Sequence, residues 1–193
     1  MKMKRICVFC GSNYGRGDKY RAMAVKMGHA LAERGLGLVY GGGKVGLMGT
    51  IADAVLERGG EVIGVIPKDL VKKELAHKGL TKLRVVGSMH ERKALMARLS
   101  DGFIAMPGGF GTLDEFCEIL TWAQLGLHRK PSGILDVGGY FDLFLKFVDH
   151  SVSQGFIRQE HRDLLVVERA PEALLDALAD YKPINLDKWL KKP

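Results

Sequence analysis

The richest stretch of the chain for chemistry is residues 107–115, Pro-Gly-Gly-Phe-Gly-Thr-Leu-Asp-Glu. It follows the apolar run 102–105 and opens a predicted helix. Glycines at 108, 109 and 111 let backbone N–H groups face a phosphate, and a helix N-terminus favours negative charge. Thr112 either caps the helix or donates its hydroxyl to that anion. A plainer reading makes Thr112-x-x-Glu115 a capping box, with Glu115 turned back onto the backbone. Capping alone has no use for Gly108, Gly109 and Gly111.

Ser88-Met89-His90-Glu91-Arg92-Lys93 starts another helix, and Ser88-x-x-Glu91 is again a capping box. Arg92 then shares one face with Leu95, Met96 and Leu99, at i, i+3, i+4 and i+7. A guanidinium aimed at a core needs an anionic partner. That partner is a ligand or an internal carboxylate, unless the side chain snorkels to the rim. Lys93 and Arg98 lie off this face.

A third motif, Gly41-Gly42-Gly43-Lys44-Val45-Gly46, matches G-x-G-x-x-G. Alone it suggests a dinucleotide site, which also needs an acid at the end of the next strand to meet a ribose. Glu61 falls at the start of that strand instead. A tight turn, with Gly42 and Gly43 walling some nucleotide, is the better expectation. Cys7 and Cys10 form C-x-x-C within a predicted strand, where i and i+3 face opposite sides, so they do not pair. The six histidines show no metal-ligand spacing. Met48 and Met89 are placed to border a ligand.

The elements that must position these groups alternate in type. Strands are predicted over 5–10, 37–40, 61–66, 82–86, 102–105, 132–135 and 164–167, and several are almost wholly apolar, as parallel strands buried on both faces are. Helices are predicted over 19–34, 47–58, 90–100, 113–125, 140–154 and 171–180. The alternation implies an α/β, doubly wound parallel sheet flanked by helices. One domain over 1–181 and a peripheral tail over 182–193 are expected. In such folds ligands sit at the carboxyl ends of strands. Three of those ends are rich in glycine or small polar residues: Cys10-Gly11-Ser12-Asn13, Tyr40-Gly41-Gly42-Gly43 and Met106-Pro107-Gly108-Gly109. Convergence on one crevice would explain why the chain has 25 glycines in 193 residues.

The formal charge is +7, and residues 68–93 alone carry +5, from eight basic and three acidic residues. No nucleic-acid-binding motif accompanies this charge, so a small anionic ligand is expected rather than nucleic acid. Too few apolar residues precede Gly11 for a signal peptide, and no run reaches the ~18 residues of a membrane span. Three cysteines without a framework fit a reducing, cytoplasmic setting.

Met89-His90-Glu91-Arg92-Lys93 followed by residues 107–115 resembles the LOG (LONELY GUY) family, the cytokinin riboside 5′-monophosphate phosphoribohydrolases. The family carries M-x-x-R-K ahead of P-G-G-x-G-T-x-x-E. The likeness extends from Cys10-Gly11-Ser12 through Gly46-Leu47-Met48-Gly49 to Thr121-Trp122-Ala123-Gln124-Leu125-Gly126. It implies a Rossmann-like fold, usually a homodimer with active sites near the subunit interface. The implied reaction is hydrolysis of the N-glycosidic bond of AMP or an N6-substituted AMP, giving free base and ribose 5-phosphate without a cofactor. Arg92 and Glu115 match the positions regarded as catalytic. Glu74, Lys93, the 109–114 loop (Gly109, Phe110, Gly111, Thr112, Asp114) and Thr121 match nucleotide-binding positions, and Gly108, Ser12, Gly42 and Gly43 join them from the strand-end reading. Asp114 stands where a Glu is frequent. The rival reading is a non-catalytic Rossmann-like nucleotide-binding or carrier module.

Overall fold

The computed structural model describes residues 3–71 and 76–183. Its sheet is all parallel, in the order β4-β3-β2-β1-β5-β6-β7. The strands are β1 (Arg5–Phe9), β2 (Gly37–Tyr40), β3 (Val62–Pro67), β4 (Lys82–Val86), β5 (Gly102–Ala105), β6 (Ser132–Leu135) and β7 (Leu165–Glu168). All seven fall where the apolar runs predicted them, with ends shifted by a residue in β1, β3 and β7.

The helices are α1 (Lys19–Glu33), α2 (Gly46–Glu57), α3 (Lys68–Val71), α4 (Met89–Leu99), α5 (Phe110–Gln124), α6 (Asp142–Ser153), α7 (Gln159–Arg162) and α8 (Pro171–Ala179). The short α3 and α7 were not predicted, since a single turn leaves no periodicity to read. Two starts differ in ways that matter. Helix α5 begins at Phe110 rather than 113, and α6 begins at Asp142 rather than 140. Tyr140 and Phe141 therefore belong to the turn before α6.

Alternation along β1 divides the core in two. Ile6, Val8 and Cys10 face Met27, Leu31, Ile51 and Leu174, beneath α1, α2 and α8. Cys7 and Phe9 face Met96, Phe103, Phe116 and Phe141, beneath α4, α5 and the turn into α6. Cys7 and Cys10 thus lie on opposite faces, as period-2 geometry requires. Burial pushes both thiols well above their ordinary range, which removes their nucleophilic form.

The strand order reverses at β1, whose neighbours are β2 on one side and β5 on the other. The crossover from β1 to β2 and the crossover from β5 to β6 leave this central pair in opposite directions. This opens a crevice beyond the carboxyl ends of β1 and β5, where doubly wound folds bind ligands.

Candidate functional site

That crevice is a cavity of about 480 Å³, a volume suited to a small organic molecule. Its wall is Cys10–Gly15 from the end of β1, Pro107–Thr112 from the end of β5, and Glu115 from α5. Arg92 and Met89 come from α4, Leu47 and Met48 from α2, Leu70 from α3, and Tyr20 and Tyr140 from the other side. Two of the three glycine-rich strand ends converge there.

The N-cap of α5 is Gly109. Thr112 and Glu115 therefore sit inside the helix, at its third and sixth residues, and form no capping box. Being three apart, they share one face, and both are buried, Glu115 being 8% exposed. The early N–H groups of a helix have no partner within it, so the first turn of α5 is a ready anion site. Gly108 is required beside it: a Cβ there would lie 2.8 Å from Thr112 Cβ and 2.9 Å from Gly11 N.

The cap at Ser88 does form, with Glu91 reaching back to the Gly87 N–H rather than to that of Ser88. The Glu91 N–H donates to Ser88 Oγ (3.1 Å), while the Glu91 carboxylate accepts from Gly87 N–H (2.7 Å). This fixes the rotation of α4 and turns Arg92 inward, 7% exposed. Its Nη1 donates to Glu115 Oε1 at 2.7 Å and its Nε to the Val65 carbonyl at 3.0 Å. The internal carboxylate expected for Arg92 is thus Glu115, and the pair lines the cavity. Gly41 makes room for it: a Cβ would fall onto the guanidinium and lie 3.1 Å from Met48 Sδ.

The remaining sequence candidates divide. Ser12, Gly108, Gly109, Phe110, Gly111 and Thr112 line the cavity. Lys93 does not; its Nζ lies 3.2 Å from both Asp114 and Glu118 on α5. Burial works against the Lys93 charge, but the two carboxylates win and hold its pKa above the ordinary value. Asp114 is exposed and occupied by Lys93, and the Thr121 hydroxyl donates back to the Cys117 carbonyl at 2.8 Å. Gly42 and Gly43 face elsewhere: the Gly42 carbonyl accepts from His77 N–H (3.1 Å), and Gly43 bridges to Ala76. Glu74 and positions 184–193 of the tail lie outside the described residues.

The dinucleotide reading of Gly41–Gly46 loses its helix. The N–H groups of Leu47 and Met48, in the first turn of α2, donate to the Gly11 carbonyl at 3.0 and 3.3 Å. Glu61 meanwhile is held by Arg5 at 2.8 Å. The first N–H groups of α2 and the acid of β3 are thus both engaged elsewhere, where a dinucleotide site needs them free.

Sequence reasoning missed Tyr14, Tyr20, Leu70 and Tyr140. The one available signal was Gly138-Gly139 at the end of β6, a fourth glycine-rich strand end.

A family model described as "Possible lysine decarboxylase" matches residues 48–178. The cytokinin riboside 5′-monophosphate phosphoribohydrolase LOG of Oryza sativa subsp. japonica is 50% identical over 182 residues, covering 94% of this chain and 75% of that protein. LOG3 of Arabidopsis thaliana, of the same name, is 48% identical over 184 residues, covering 95% and 86%. Among solved structures, the molybdenum cofactor binding protein of Rippkaea orientalis superposes with a TM-score of 0.67 at 22% identity, covering 91% of this chain and 95% of that one; it shares the fold. With half of all residues identical across nearly its whole length, the chain belongs to the LOG family.

Proposed function

We infer that the protein is a phosphoribohydrolase acting on AMP or N6-substituted, cytokinin-type adenosine monophosphates, releasing free base and ribose 5-phosphate. The observation that carries this reading is the buried Arg92–Glu115 pair beside the N-terminus of α5, in one cavity. A lysine decarboxylase needs an amine to hold its cofactor as a Schiff base, and no lysine is among the described lining residues.

Breaking the C1′–N bond passes through an oxocarbenium-like state with positive charge on the ribose. Sugar hydrolases commonly use two carboxyl groups, one to protonate the leaving group and one to activate water or attack the sugar. Among the described lining residues Glu115 is the one acid, because Asp114 and Glu118 are held on the outer face by Lys93. On this reading one carboxylate is enough: water adds its hydroxyl to C1′ and the remaining proton ends on the departing purine. Glu115 stabilises the sugar charge or orients the attacking water, and Arg92, 2.7 Å away, aims it. The 5′-phosphate lies over Gly109–Thr112, where its binding energy orients the sugar.

Incubation with AMP and with isopentenyl-AMP, followed by chromatography, is expected to show free base and ribose 5-phosphate. Adenosine, lacking the anchor, is expected to have a kcat/KM lower by about 10² or more. Nucleotide binding with no release of base would favour the carrier reading, and equal turnover of adenosine and AMP would remove the phosphate anchor.

Uncovered apolar surface supports a reading of the assembly. Phe110 is 94% exposed at the cavity rim, and Leu125, Leu127, Leu143, Phe147 and Phe156 are exposed on the same side of the sheet, around α5 and α6. Clustered exposed apolar side chains favour an interface, and we assign it to a homodimer. Light scattering is expected to give twice the 21.2 kDa chain mass, falling to that of one chain in Phe147→Glu. A wild-type monomer would sink the assignment. Among the described residues no helix is long and apolar enough to cross a membrane. The three free cysteines suit a reducing compartment, and we place the reaction in the cytoplasm.

A further inference from the structure

We propose that Tyr140 is a positioning residue for phosphate recognition, its hydroxyl locking the Gly108–Gly109 peptide so that the Gly109 N–H faces the anion. The proposal rests on the phosphate site inferred above. The Tyr140 hydroxyl donates to the Gly108 carbonyl at 2.6 Å. In a trans peptide the carbonyl and the following N–H point in opposite directions. Fixing the Gly108 oxygen towards Tyr140 therefore fixes the Gly109 N–H on the opposite side. Gly109 is the N-cap of α5, so this is the first backbone group an anion would meet. A peptide between two glycines rotates more freely than most. Turned over, it would offer an anion a carbonyl instead of a donor.

Tyr140 is itself held in place from β6. Asp136, 2% exposed, accepts the Gly139 N–H at 3.2 Å and the Phe141 N–H at 3.0 Å. Gly138 and Gly139 adopt φ of 61° and 75°, which lets the chain fold tightly around that carboxylate. The Tyr140 ring packs edge-on against Tyr20 and Phe141, at 5.7 and 5.1 Å between centroids. The aromatic body is thus packed independently of the hydroxyl, which is left to act on the glycine turn.

Tyr140→Phe removes the hydroxyl and keeps the ring. Calorimetric titration with ribose 5-phosphate is expected to show Kd about five- to tenfold higher than in wild type, the worth of one hydrogen bond. Adenine and unphosphorylated ribose should bind as before. With AMP as substrate, KM should rise by the same factor while kcat stays within about twofold. A merely structural role would lower the melting temperature and leave the phosphate dependence unmoved. Unchanged ribose 5-phosphate affinity, or equal losses for ribose and ribose 5-phosphate, would overturn the proposal. If wild type binds ribose 5-phosphate but releases no base from AMP, the hydrolase reading fails, and the ratio of the two Kd values still decides the role of Tyr140.

Discussion

Glu115→Gln is expected to lower kcat on AMP by about 10²–10³, the loss of ~3–4 kcal/mol of transition-state stabilisation, with KM nearly unchanged. The substitution isolates charge from shape. Glutamine keeps the length of the side chain, and its amide oxygen still accepts from Arg92 Nη1, now 2.7 Å from Glu115 Oε1. What disappears is the negative charge facing the sugar. Ground-state binding is expected to survive, because the phosphate site inferred above is the first turn of α5 and not Glu115. The positive charge of the oxocarbenium exists only in the transition state, so its loss falls on kcat. Steady-state kinetics on AMP measure both constants, and near-wild-type turnover in Glu115→Gln would remove the assigned mechanism. Among the described lining residues no second acid is placed to substitute, and Asp114 is exposed and bound to Lys93.

The reason Glu115 is available for this role was not legible in the sequence. The pattern Thr112-x-x-Glu115 fits a capping box, and Gly111 before it reads as loop because glycine disfavours helix interiors. The chain turns into α5 one turn earlier, with Gly109 as N-cap. That places Thr112 and Glu115 on the inward face and leaves the carboxylate for Arg92. The strands were easier. Runs such as Val62–Pro67, wholly buried, are continuous apolar stretches bounded by breaks. The face of α4 was also legible, because the spacing of Arg92, Leu95, Met96 and Leu99 and the Ser88 cap act over one or two turns.

What escaped were contacts between distant segments. Tyr140 reaches Gly108 across 32 positions, and no local pattern encodes that. Lys93 was assigned to the nucleotide through the family motif; the structure adds Asp114 and Glu118 as its partners, tying α4 to α5 just outside the cavity. Gly41–Gly46 reads in the sequence as a tight turn walling a nucleotide rather than as a dinucleotide site, but Gly42 and Gly43 lie away from the cavity. Its glycines follow a strand and open a helix, as a dinucleotide motif requires. Only the fold shows the Gly11 carbonyl on the first N–H groups of that helix. Glycine spacing alone does not distinguish backbone approaching a ligand from backbone approaching other backbone.

Arg92 is the harsher test of the same site, because its loss is expected to lower stability as well as rate. Arg92→Met is expected to cost about 3–5 kcal/mol of folding stability, since it leaves a carboxylate in a buried position without its guanidinium. For a chain of this size that is a fall in Tm of roughly 2–4 °C per kcal/mol. Turnover should fall by about 10² or more, as Glu115 loses the charge that aims it. Arg92→Lys separates the two effects. Lysine restores a positive charge near Glu115 and should recover most of the stability. It has no planar fork, so it does not reproduce the pair of bonds to Glu115 at 2.7 Å and the Val65 carbonyl at 3.0 Å. The rate should therefore stay low while the melting temperature returns. Gly41 is built around the same fork, its missing Cβ leaving space for the guanidinium that an ammonium would not fill. Full recovery of kcat in Arg92→Lys would mean that charge alone is needed at this position, and that the geometry imposed by β3, α4 and Gly41 has no part in catalysis.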